Sequence, residues 1–157
     1  MPNWCMNEVT ITHDNPLEIT RLRDAFVEKR FLQAIDPMPE HLEKTDGKMP
    51  AWYGWRLEHW GCKWDVGEDG SGKATIVSPT VLQLSFDSPW APPTIAYQKL
   101  VSDGFHVNAY YLEMGMCFIG QFTDGEDNSI QYSTLADIPE DWSEVWDMET
   151  MLGDTAF

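Results

Sequence analysis

Beyond Lys99 the chain has no lysine and no arginine, although twelve of its 26 acidic residues lie there. Residues 1–99 carry fourteen acids and ten bases, a net of −4, so residues 100–157 supply −12 of the formal −16. A direct grip on nucleic acid through its phosphates needs a basic face, and none is encoded. Cysteine is equally scarce. Cys5, Cys62 and Cys117 are an odd, scattered set without a CxxC pair, the pattern of free thiols in a reducing cytoplasm. Apolar runs are only a few residues long, too short to cross a bilayer. The opening MPNWCMNEV has neither a basic nor an apolar signal region, so secretion by a cleaved leader is not expected.

Catalytic signatures are missing too. There is no GxSxG, and His13, His41, His59 and His106 stand in unrelated contexts. The run Gly67 to Ala74 matches GxxxxGK, but Ala74 replaces the magnesium-binding hydroxyl and Glu68 and Asp69 would repel phosphate. It reads as a surface turn. His59 and Cys62 have a workable ligand spacing but lack a second pair. Asp124, Glu126, Asp127 and Asn128 lack the spacing of a calcium loop. No metal, no cofactor and no enzymatic chemistry are therefore expected.

What is present is a core. A chain of 157 residues with 43% hydrophobic and 13% aromatic content suits one folded domain. Four of the eight tryptophans, Trp52, Trp55, Trp60 and Trp64, fall within fourteen residues. Trp52, Trp55 and His59 recur at helical spacing, so a short helix from Ala51 to about Trp60 is predicted, with Gly61 as its stop. The stretch reads either as a core-forming clamp or as an aromatic groove with Lys63 as its cation.

In chain order, alternation of Val9 and Ile11 predicts a strand over Asn7–His13. Asn15 or Asp14 can cap a helix that takes Pro16 in its first turn and runs to about Glu28, with Leu17, Leu22, Ala25 and Phe26 facing the core. Phe31–Ile35 reads as a short second strand, and Glu40–Pro50 as a loop or weak helix. Strands over Thr75–Val77 and Val81–Phe86 precede a helix over Thr94–Ser102 closed by Gly104. Strands His106–Leu112 and Cys117–Thr123 form a hairpin, Asp124-Gly125 is a turn, and Ile130–Tyr132 is a further short strand. A single acidic helix is predicted over Pro139–Leu152. The order implies an α+β fold, a ferredoxin-like βαββαβ sandwich with two helices on an antiparallel sheet. It would span residues 1–125, with a Trp-rich insertion at about 40–72 and an acidic hairpin and helix extension over 126–157 packed on the same domain.

Four motifs carry a family resemblance. They are Met1-Pro2-Asn3-Trp4-Cys5-Met6-Asn7, His59-Trp60-Gly61-Cys62-Lys63-Trp64-Asp65, the run Leu84 to Pro93 (LSFDSPWAPP), and Tyr111 to Gly120 (YLEMGMCFIG). In this order the chain resembles the YubB ferredoxin-like domain family of phages, plasmids and bacterial genomes. It departs from that family where Cys62 replaces a more usual Thr and where Asp87-Ser88-Pro89-Trp90 replaces a Thr-Ala-Trp-like run. The resemblance implies the ferredoxin-like shape without an iron–sulfur cluster, and a phage or mobile-element setting.

The resulting expectation is a small, acidic, non-catalytic cytoplasmic protein that binds a host protein, imitating the charge of nucleic acid toward a nucleic-acid-binding partner. Asp124, Glu126, Asp127, Asp137, Glu140, Asp141 and Glu144 would form the partner surface. The alternative is a peptide or small-molecule site, or an uncharacterised activity, in a Trp-lined pocket built by Trp60, Lys63, Trp64, Trp90 and Glu113.

Overall fold

The computed structural model describes residues 3–43, 51–67 and 72–153. Its frame is a six-stranded antiparallel sheet with helices on both sides, an α+β architecture. The strands are β1 (Trp4–Thr12), β2 (Lys73–Ser78), β3 (Val81–Pro89), β4 (His106–Glu113), β5 (Phe118–Thr123) and β6 (Glu126–Gln131). They lie side by side in the order β2-β3-β1-β4-β5-β6.

The period of two along β1 sorts the sheet into two faces. Cys5, Asn7, Val9 and Ile11 are buried and alternate with half-buried Trp4, Met6, Glu8 and Thr10. Val9 and Ile11 join Leu82, Leu84 and Phe86 of β3 and Val107 and Ala109 of β4 in the main core. Helices α1 (Pro16–Val27) and α4 (Thr94–Ser102) cover that face. Asn15 caps α1, its Oδ1 accepting from the Leu17 N–H at 3.0 Å, with Pro16 in the first turn as expected. Ile19, Leu22, Ala25 and Phe26 are its buried stripe, whereas Leu17 points to solvent.

The readings of two helical segments need correction. Phe31–Ile35 is not a strand but the one-turn helix α2. Its Leu32 and Gln33 N–H groups donate to the two carboxylate oxygens of buried Asp65, at 2.8 and 3.0 Å. A remote carboxylate thus satisfies the orphan donors of a helix start, which local β-propensity does not reveal. The C-terminal segment is likewise two helices, α5 (Glu140–Trp146) and α6 (Met148–Gly153), broken at Asp147, whose φ is 50°. They pack Trp142, Met148 and Leu152 against Leu112 and Ile119 on the opposite face of β4 and β5.

The predicted tryptophan helix is α3 (Ala51–His59). Gly61 takes a φ of 90° and its N–H returns to the Arg56 carbonyl, ending the helix in the left-handed manner that favours glycine. Residues 44–50 of the expected loop, and Glu68 to Ser71 of the GxxxxGK-like run, lie outside the described residues. The Asp124-Gly125 turn has positive φ at both positions, 47° and 106°, a type I′ connection that makes β6 a hairpin partner of β5. β6 thereby belongs to the same sheet as the preceding strands and runs over Glu126–Gln131, not the expected Ile130–Tyr132, because the tight turn starts the ladder at once despite the polar sequence. Among the described residues no helix is long and apolar enough to cross a membrane.

Replacing Asp65 with Ala strands the α2 N–H groups in a buried setting and is expected to cost about 1–3 kcal/mol. Urea unfolding checks this: the midpoint falls with an unchanged slope, and an unaltered midpoint would remove Asp65 from this role.

Candidate functional site: an open groove beside an acidic edge strand

The four motifs singled out in the sequence meet at one end of the sheet. Trp4 pairs in register with Pro89, and Cys5 with both Ser88 and Glu113. The Trp4 and Trp64 rings meet edge to face at 5.9 Å. The Asn3 carbonyl accepts from the Trp90 N–H at 2.8 Å, and the Asn3 side chain packs against Gly115 so closely that a Cβ there would lie 2.7 Å from Nδ2.

Beneath them is a buried polar relay. Tyr97 donates its O–H to Asn7 Oδ1 at 2.8 Å, and Asn7 Nδ2 donates to Ser88 Oγ at 2.9 Å and the Cys5 carbonyl at 3.0 Å. Ser88 in turn donates to the Ala91 carbonyl at 2.7 Å. Every member is partnered, as burial demands. This relay welds β1, β3 and the start of α4.

The proposed pocket residues take different stations. Trp60 fills the core, its Nε1–H donating to the Asp36 carbonyl at 2.9 Å. Arg56 lies over the Trp52 and Trp60 rings, with its Cζ 4.7 and 5.2 Å from their centroids. Lys63 sits half-buried over Tyr53 and Trp64, at 5.7 and 5.4 Å, an arrangement worth about 0.5–1 kcal/mol per contact at exposed sites. Trp90 is half exposed, with an unusual φ of 69°. Glu113 is buried and accepts from the Gly115 and Met116 N–H groups at 2.6 and 2.8 Å, pinning the β4–β5 turn. Glu113 is thus a turn anchor.

The seven acids proposed as a partner surface also divide. Asp124 accepts from the Val107 N–H at 2.8 Å, Asp127 from the Tyr111 O–H at 2.5 Å, and Asp137 from the Ser133 and Thr134 N–H groups. Those backbone donors hold the Asp137 carboxyl below its ordinary range. Glu126, Glu140, Asp141 and Glu144 are exposed and form no ion pair among the described residues.

The feature that sequence reasoning did not find is a groove of about 640 Å³ on the α4 side of the sheet's β6 end. α4 covers the centre of this face and α5 and α6 lie on the other, so the β5–β6 strip is left open. Tyr111, Phe118, Asp127 and Ser129 form the floor. Gly61 and Leu57 from the end of α3, Pro92 and Ile95 from the start of α4, and Met116 from the turn form the walls. Leu57, Ile95 and Met116 are 40%, 43% and 57% exposed, an apolar rim. Tyr111 crosses Gly120, where an added Cβ would lie 2.5 Å from the ring, and so reaches Asp127. Burial, and then the Asp127 hydrogen bond, push its phenol well above the ordinary value. Trp60, Lys63, Trp64, Trp90 and Glu113 do not line this groove. No group of three or more His, Cys, Asp or Glu is placed to hold a metal ion among the described residues.

The sequence matches no family model and no curated protein. Among solved structures the chain is similar to the crystal structure of a protein named Api92 from Yersinia pseudotuberculosis, of the DUF1281 family model. Identity is 11% and the TM-score 0.49, over 85% of this chain and 99% of that one.

The thiols give a direct check of this packing. Burial, then the Asp65 charge, push Cys62 up to about 12, and burial also raises Cys5. Each raised pKa favours the protonated thiol in the folded state. That stabilisation is complete below the unfolded value near 8.5 and fades as pH climbs through the folded one. At about pH 8 an alkylating reagent is expected to modify partly exposed Cys117 alone in the native protein, and all three thiols in denaturant. Native labelling of Cys5 or Cys62 at the Cys117 rate, read by mass spectrometry, would contradict the packing.

Proposed function

We propose that this protein acts by binding, not by chemistry: its acidic C-terminal third engages a basic host protein of the nucleic-acid-binding kind, in the cytoplasm. The observation that carries this is the exposed carboxylate set Glu126, Glu140, Asp141 and Glu144, unopposed by any lysine or arginine after Lys99. Carboxylates without internal partners cost the fold repulsion and supply a steering field toward a cationic surface. Asp124, Asp127 and Asp137 serve turns and caps first, so they add to the field while holding its scaffold. Three free thiols accord with a reducing compartment.

The same reading covers the lineage and the plan. The resemblance of the four motifs to the YubB ferredoxin-like family is supported by their meeting at one end of the sheet. A ferredoxin-like core is supported by the order β2-β3-β1-β4, with α1 following β1 and α4 following β3; β5, β6, α5 and α6 extend it. A Trp-lined ligand pocket has less support, because Trp60, which would be its centre, is buried.

Immobilised protein incubated with host lysate at about 50 mM salt is expected to retain nucleic-acid-binding proteins, and to release them at about 500 mM. Joint substitution of Glu126, Glu140 and Glu144 with Gln and Asp141 with Asn should remove most of the retention. Failure to hold any nucleic-acid-binding protein at low salt, or equal retention by the substituted protein, would contradict this function.

A further inference from the structure

Resting on that reading, we infer that the partner contributes an extended segment of alternating character that adds to the sheet along β6, sending arginine- and leucine-like side chains into the groove. Three observations converge. β6 is an edge strand whose six residues run in unbroken register with β5, while the opposite edge, β2, carries an irregularity between Ile76 and Ser78. Bulges, prolines and charged side chains are the usual protection of an edge. β6 has no bulge and no proline, its only charges, Glu126 and Asp127, are acidic and so discriminate against acidic strands while admitting a basic one, and Glu126, Asp127, Asn128, Ser129 and Gln131 are exposed.

The register also tells which backbone groups remain to be paired. The two-residue turn makes Thr123 and Glu126 a hydrogen-bonded pair, so bonding alternates along the ladder to Gln121–Asn128 and Ile119–Ile130. The N–H and C=O groups of Asp127, Ser129 and Gln131 therefore face the open edge. The side chains of these residues stand on the groove side of the sheet, as Asp127 and Ser129 do in lining it. Backbone valence and groove thus belong to one row of residues.

Charge and polarity decide the occupant. A second copy would bring another acidic C-terminal third, with twelve acids and no lysine or arginine, against the first, so self-pairing is opposed by charge. A basic strand is favoured. Long side chains reaching over β6 would lay apolar stems on Phe118 and Ile95. A guanidinium would meet Asp127, of which, among the described residues, only Oδ1 is engaged, by Tyr111. This is strand addition: main-chain bonds supply affinity and alternate side chains supply selectivity.

The test uses three labelled peptides of roughly nine residues and fluorescence anisotropy at low salt. One alternates threonine with arginine and leucine, one has the same composition with the alternation broken, and one is oligolysine. The alternating peptide is expected to bind about tenfold tighter than the other two. Amide shifts should centre on Asp127, Ser129 and Gln131. Ser129→Pro removes an outward N–H without touching the β5 ladder, and Ile95→Lys places a charge of the peptide's own sign on the apolar rim. Each should weaken the alternating peptide about tenfold with an unchanged circular-dichroism spectrum. Equal binding of all three peptides, an unaffected Ser129→Pro and Ile95→Lys, or no binding by any peptide overturns the strand-addition inference. If lysate retention nevertheless remains salt-dependent, the acidic-surface function stands without it; if retention fails as well, both fall.

Discussion

Burial of Trp60 is the constraint on which the rest of the helical face depends. An indole that leaves water contributes about 3–5 kcal/mol relative to truncation, but only where its N–H finds an acceptor. The Asp36 carbonyl, just past α2, is that acceptor. The Trp60 carbonyl accepts from the Ala96 N–H at 3.3 Å, so the same residue also joins α3 to α4. His59 bonds Asp36 through Nδ1 and stacks flat on Trp55 at 4.1 Å, and Arg56 closes over the indole. One residue, through its indole and its own carbonyl, therefore ties α2, α3 and α4 together.

That tie explains why a groove exists beside it. With Trp60 seated, Gly61 must turn with positive φ, and it does so against the backbone N–H groups of Thr94 and Ile95, where an added Cβ would sit at 3.4 Å. The wall made by Leu57, Gly61 and Ile95 is thus a by-product of the clamp. Its floor follows from another close approach, Tyr111 lying across Gly120. Apolar walls and one partly engaged carboxylate on an edge strand suit recognition of a chain.

How much of this was legible depended on whether the cause was local. β1, α1, α4 and the β4–β5 hairpin follow from period, caps and turn chemistry within a few residues, and α3 from Trp52, Trp55, His59 and Gly61, whereas β6 was expected only over Ile130–Tyr132 because its polar first half carries no strand signal. Phe31–Ile35 misled because its helix is nucleated by Asp65, more than thirty positions away. Asn7 could have been suspected: it shares the buried phase of Val9 and Ile11, and an inward amide must be answered, here by Tyr97 and Ser88. The excess of acid was countable, but not which carboxylates were already spoken for. The groove was invisible because its lining comes from α3, α4, β4, β5, β6 and a turn, each contributing residues that look like ordinary core or surface.

The most direct test of the account is hydrogen exchange on Trp60→Phe beside the parent protein. The substitution keeps most of the ring area and deletes the N–H bond to Asp36. Amide protection is predicted to fall through α3 and around Asp36 and Ala96, while β1, β3 and β4 keep theirs. Unchanged protection in α3, or a uniform loss across the sheet, would show that Trp60 is not the clamp that organises this face.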